Sequence, residues 1–219
     1  TLSIALGCTP RRVQFVPDLL PSDICGMKIY DQKTGDFRLV QGPVMTNLLL
    51  ADEINRAIPR TQSALLEAME ERQVTIDGET MALPAPFLVL ATQNPVESES
   101  TFQLPAAQMD RFLVRLSLGY PAAEEETQML RSLGDSIPFG TVRTVTSAAE
   151  LTALQQQAAE VYVSDAVADY IVALAQATRR HSALAMGASP RGSRSLYRAS
   201  KVWAAMNGAS VVRVHDVRE

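Results

Sequence analysis

Residues 47–56 read NLLLADEINR, in which four apolar residues run straight into the adjacent carboxylates Asp52 and Glu53. A short, uninterrupted apolar run is the pattern of a strand buried on both faces, as in a parallel sheet covered by helices. In such sheets the ligand crevice lies outside the carboxyl ends of the strands, so acids at this position face it. Asp52 is then placed to hold a divalent cation such as Mg²⁺, and Glu53 to polarise an attacking water. A second reading is a solvated strand-to-helix turn whose acids cap the next helix. The decapeptide alone leaves both open.

Working outward, residues 61–71 (TQSALLEAMEE) place Leu65, Leu66 and Met69 on one helical stripe and acids on the other. Residues 87–93 (FLVLATQ) form a second apolar strand that ends at Asn94, before Pro95. Residues 12–16 (RVQFV) read as a further strand, after a short helical segment broken by Gly7. In the stretch 17–26, PDLLPSDICG, a helix has barely room to start. Two hairpins are predicted: 27–30 with 37–40 around DQKTGD, and 73–76 with 79–83 around Asp77-Gly78, a strong hairpin turn signal. A polar loop at 96–105, a short helix at 106–110 and a strand at 112–118 complete this half.

Beyond Pro121 the texture is helical. Pro121 suits a first helical position, and Glu124, Glu125 and Glu126 complement the dipole of the opening turn. Ser147-Ala-Ala-Glu150 is a capping box, and Ser164 caps a helix carrying Val167, Tyr170, Ile171 and Leu174 at helical spacing. Ser189-Pro190 opens another helix with Arg191, Arg194 and Arg198, and a last one starts at Val214. The predicted organisation is an α/β core with a mostly parallel sheet over residues 1–120, then an all-α domain of four or five helices over 121–219.

Composition sets outer bounds. The 219 residues are 47% apolar and 20% charged, as in globular proteins with a sizeable core. A net charge of −4 argues against a general nucleic-acid or membrane-surface binder. No apolar run approaches the roughly 18 residues of a membrane span, and a cytoplasmic location is expected. Cys8 and Cys25 have neither disulfide nor zinc spacing and read as packing residues. His181 and His215 stand far apart and read as surface or lid residues.

Taken together, LLLADEINRA, ATQNP, LPAAQMDRF and GASPRG resemble the MoxR family of AAA+ ATPases, and the resemblance extends over nearly the whole chain. Its most specific part is VQFVPDLLPSDICG followed by GPVMTNLLLADEINRAIPRTQSALLEAMEERQVTIDGE. The resemblance implies a P-loop-type parallel sheet core with a C-terminal helical lid. It implies ATP and Mg²⁺ as ligands, with Asp52 as metal ligand and Glu53 as the residue that polarises water, the Walker B pair. Asn94 resembles the sensor 1 residue, whose neutral amide donates to a γ-phosphate and orients water. Arg111, in MDRF, resembles an arginine finger pointing into a neighbouring subunit's nucleotide; its alternative is an ion pair with Asp110 or another nearby acid. Arg191, in SPRG, resembles sensor 2, coupling phosphate occupancy to lid position or acting on a neighbour's site. The two hairpins resemble protrusions that touch substrate or partner at a ring pore.

One departure stands out. No glycine-rich phosphate-binding loop ending in Lys-Thr or Lys-Ser occurs, and the resemblance places Thr1 a few residues beyond where such a loop ends. The leading strand and loop are expected upstream of Thr1. Because the loop's amides cradle phosphates, the fragment alone is expected to bind ATP poorly and the complete chain to hydrolyse it. The implied function is an ATP-dependent chaperone-like motor, a homo-oligomeric ring, often a hexamer, that remodels or matures partner proteins, among them proteins with von Willebrand factor A domains. Rival readings are a chelatase-like or helicase-like motor, and a nonhydrolysing scaffold with the same fold.

Overall fold

A computed structural model describes residues 1–94, 101–132 and 142–218. Its centre is strand β4 (Leu48–Asp52), flanked in parallel by β1 (Pro10–Gln14) and β7 (Leu88–Ala91) in the order β1-β4-β7. Gln14 lies opposite Asp52 across one ladder and Ala51 opposite Ala91 across the other, so all three strands end at one level. The apolar run is buried for the reason its pattern gives. Leu49 and Ala51 are wholly enclosed, packed with Phe15, Ile24, Val44, Ile54, Leu65 and Leu66.

Helix α1 (Leu2–Ala5) precedes β1, and α2 (Pro21–Cys25) manages little more than one turn before Gly26. Pro21 occupies the first turn of α2, where its missing N–H costs no hydrogen bond. The hairpins form as the turn chemistry predicts: β2 (Gly26–Asp31) with β3 (Asp36–Gln41), and β5 (Gln73–Ile76) with β6 (Glu79–Ala82). Asp77 and Gly78 both take positive φ, +47° and +82°, as a two-residue turn matched to strand twist requires. Lys28 Nζ and Glu79 Oε1, 2.6 Å apart, tie one hairpin to the other.

Between β4 and β5 runs a short 3₁₀ turn (Ile54–Arg56), then α3 (Pro59–Glu71), which buries Thr61, Gln62, Leu65, Leu66 and Ala68 against the sheet. A short α4 (Ala106–Met109) follows β7. Five helices come after it among the described residues: α5 (Ala123–Ser132), α6 (Ala148–Glu160), α7 (Asp165–Arg180), α8 (Pro190–Met206) and α9 (Val214–Arg218). They carry a second core of Val161, Val167, Ile171, Ala204, Val212 and Val217, separate from the first. The predicted caps are in place. Ser147 accepts from the Glu150 N–H while Glu150 accepts from the Ser147 N–H, and Ser164 and Ser189 accept from Val167 and Gly192.

Three expectations fail or shift, the first being Pro121, which stands two residues before α5 and not at its first position. Residues 112–118 form no strand: Leu113, Val114, Leu116 and Leu118 are exposed, and none of the described strands pairs with them. Their β-rich composition met no ladder, and an unpaired strand does not hold in water. β1 lies two residues earlier than its apolar pattern, because its bounds follow the length of β4. The loop expected at 96–105 lies partly outside the described residues.

Candidate active site

The three parallel strands deliver a polar cluster at their carboxyl ends. From β1 come Arg12 and Gln14, from β4 Asp52 and then Glu53, and just beyond β7 come Thr92 and Asn94. Asp52 Oδ2 accepts from Arg12 through Nη2 at 2.6 Å and Nε at 3.2 Å. Its other oxygen accepts from the Thr92 hydroxyl at 2.5 Å. The Thr92 hydroxyl first, and the Arg12 guanidinium second, hold the Asp52 carboxyl below the usual aspartate range. Asp52 is therefore a firm anion.

Glu53 sits where β4 ends and takes a left-handed backbone, φ +55°. A non-glycine residue there is strained by roughly 1–2 kcal/mol, and something must hold it. Here the Glu53 N–H donates to the Thr92 hydroxyl at 2.9 Å and the Ile54 N–H to the Thr92 carbonyl at 3.0 Å. One threonine thus grips Asp52 by its side chain and Glu53 by its backbone. The kink brings Glu53 Oε2 to Gln14 Nε2 at 2.7 Å and Arg56 Nη1 at 3.0 Å, and Oε1 to Asn94 Nδ2 at 3.5 Å. Asn94 is itself clamped by the fully buried Asn55, which exchanges two hydrogen bonds with its backbone.

Asp52, Glu53 and Asn94 are therefore brought together. Arg111 and Arg191 are not part of this cluster; they meet elsewhere, on Glu70 near the end of α3. Arg111 Nε lies 3.3 Å from Glu70 Oε2, and Arg191 Nη2 lies 2.5 Å from Glu70 Oε1. Within the chain Arg111 pairs with Glu70 and not with Asp110, whereas the finger reading concerns a neighbouring subunit. The Asp110 carboxylate instead accepts from the Ser189 hydroxyl of the helical half.

Sequence reasoning passed over Arg12, Gln14, Thr92 and Glu70. Signals existed for the first three: Arg12 and Gln14 alternate on the strand beside β4, and Thr92 stands two residues before Asn94. Glu70 looked like one of several solvated helix acids.

As a metal ligand Asp52 fits on the chemistry of its donors. Mg²⁺ is held by one or two carboxylates together with phosphate oxygens and water, and Asp52 offers a charged oxygen whose present partner, Arg12, is largely exposed.

A parallel sheet whose strands end in such a cluster is the arrangement of an α/β domain that binds its ligand, commonly a nucleotide, at the carboxyl ends of the strands, and here a separate helical core follows it. Comparison with known proteins agrees. The family model for the ATPase family associated with various cellular activities (AAA) matches residues 1–114, and the AAA lid domain model matches residues 176–219. Chaperone MoxR1 of Mycobacterium tuberculosis is 44% identical over 100% of this chain and 60% of its own length. An uncharacterised Bacillus subtilis protein, YeaC, is 46% identical over 99% of this chain and 68% of its own. A solved structure of a proposed ATPase from Cytophaga hutchinsonii superposes with a TM-score of 0.87 at 39% identity, covering 99% of this chain and 68% of that one. The chain belongs to the MoxR family of AAA+ ATPases. It spans 60 to 68% of the length of these similar proteins. Among the described residues no helix is long and apolar enough to cross a membrane.

Proposed function

We propose that the protein is an ATP-hydrolysing, chaperone-like motor that remodels or matures partner proteins, working in the cytoplasm as a homo-oligomeric ring, a hexamer by family habit. Asp52 holds Mg²⁺, which would neutralise charge on the phosphates when bound. Glu53 orients and polarises the attacking water, and Asn94 fixes Glu53 and reaches toward the terminal phosphate. Arg111 is the finger supplied to a neighbouring subunit, and Arg191 reports phosphate occupancy to the lid. Residues 1–120 are the ATPase core and 121–219 the lid. Partners carrying von Willebrand factor A domains are the proposed clients, and the two tied hairpins are the surfaces that touch them.

The observation that carries this reading is the Thr92-centred arrangement, which holds Asp52 as an anion and turns Glu53 toward Asn94. The test is steady-state ATP hydrolysis by the full-length protein. Glu53→Gln is expected to lower turnover by about 10²-fold or more, the scale of a lost general base, while ATP binding persists. Undiminished turnover would remove Glu53 from the chemistry.

A further inference from the structure

Glu70 gives one carboxylate oxygen to each of two arginines that come from different halves of the molecule. Arg111 follows α4 in the core, and Arg191 stands in the first turn of α8. The junction around them is rich in cations. Arg191, Arg194 and Arg198 recur at i, i+3 and i+7 along α8, and burial first, with the charge of Arg198 second, holds the Arg72 guanidinium, two residues past Glu70, below the usual arginine range. The neighbouring acid, Asp110, is occupied by the Ser189 hydroxyl. Glu70 is therefore the anion on which both guanidiniums converge.

Its hold on Arg111 is loose. The Arg111 Nε is buried, yet at 3.3 Å from Glu70 it has no well-directed hydrogen-bond acceptor. A guanidinium carries a fixed fork of donors that suits a phosphoryl group, with its three oxygens and higher charge, better than a shared carboxylate. Both arginines already address a single small anion, and Glu70 is a weaker anion than a terminal phosphate.

We propose that Glu70 is a positioning residue and resting counter-ion: it gathers Arg111 and Arg191 at one point and yields them to the terminal phosphates of a nucleotide bound by a second copy of this chain. This rests on the reading of Arg111 as a finger. In this scheme Glu70 competes with nucleotide for the arginines. Phosphate arriving from a neighbour takes both guanidiniums from it, and the lid feels the event through Arg191.

The test is made on full-length protein as assembled. Ion pairs near the surface are worth up to about 1 kcal/mol, so Glu70→Gln is expected to lower the KM for ATP about two- to five-fold. A KM that holds or rises overturns the proposal, because a merely structural Glu70 gives no gain in apparent affinity. Placed in an Arg111→Ala, Arg191→Ala background, where turnover is lost with the finger, the same substitution is expected to leave the Kd for ATP, read by equilibrium binding, where that background sets it; a tightening equal to the drop in KM also overturns the proposal. Should Glu70→Gln not fold, Glu70→Asp keeps the charge on a shorter stem and is expected to lower KM by a smaller factor, with an unchanged KM counting against the proposal. Absence of hydrolysis in the wild-type protein would instead sink the ATPase reading itself, and so the two failures are distinguishable.

Discussion

At the scale of single residues, Thr92 does the work that the acids alone cannot. Its hydroxyl proton goes to Asp52 while its oxygen accepts the Glu53 N–H, so a carboxylate and a strained backbone are fixed by one side chain. The same contact has a consequence for pH. Because the folded state depresses the Asp52 pKa, Asp52 contributes stability above the ordinary aspartate value of about 3.9, and that contribution is lost as pH falls through the lower folded value. Asp52→Asn should therefore differ from wild type in urea-unfolding stability most near neutrality, and the difference should shrink below about pH 4. A gap of constant size from pH 7 to pH 3 would contradict the Thr92 and Arg12 contacts as its cause.

At the scale of elements, two glycines in the hairpins answer to different constraints. A Cβ on Gly78 would meet nothing within 4 Å, so Gly78→Ala bears only the strain of φ +82°, about 1–2 kcal/mol. At the base of the first hairpin, a Cβ on Gly42 would fall 2.1 Å from the Ile24 carbonyl oxygen and 2.5 Å from the Cys25 carbonyl carbon, both backbone atoms that cannot swing aside. Gly42→Ala is thus expected to cost more, at least ~2 kcal/mol, because the hairpin must part from α2. Urea midpoints of the two variants decide it, and equal midpoints would mean that the hairpin base is free to shift. The turn at Asp77-Gly78 was legible in the sequence, whereas nothing in the letters around Gly42 announces the chain lying against it.

At the scale of the molecule, two separate hydrophobic cores meet across polar contacts. Ser189 donates to Asp110, Arg191 pairs with Glu70, and the Val145 N–H donates to the Ala5 carbonyl at 2.9 Å. Polar junctions of this kind permit relative motion, as a lid requires. Ser189 also caps α8, so Ser189→Ala would remove about 1 kcal/mol of cap along with the tether. Asp110→Ala removes only the tether. It is expected to speed hydrogen exchange in the first turn of α8 and leave β4 as slow as in wild type; unchanged exchange at α8 would show that this contact does not restrain the lid.

What the sequence determined by itself is local. An apolar run into Asp52-Glu53, the Asp77-Gly78 turn, the Leu65-Leu66-Met69 stripe and the caps at Ser147, Ser164 and Ser189 depend on neighbours within a few residues, and they stand in the structure where the pattern put them. The tertiary structure decided the rest, because Arg12 and Thr92 each lie forty residues from Asp52 and Glu70 lies 121 from Arg191. Such pairings follow from sheet order and from how the two cores meet, neither of which is written in any short window. Residues 112–118 make the same point in reverse: their composition favours a strand, but a strand exists only where a partner supplies the ladder.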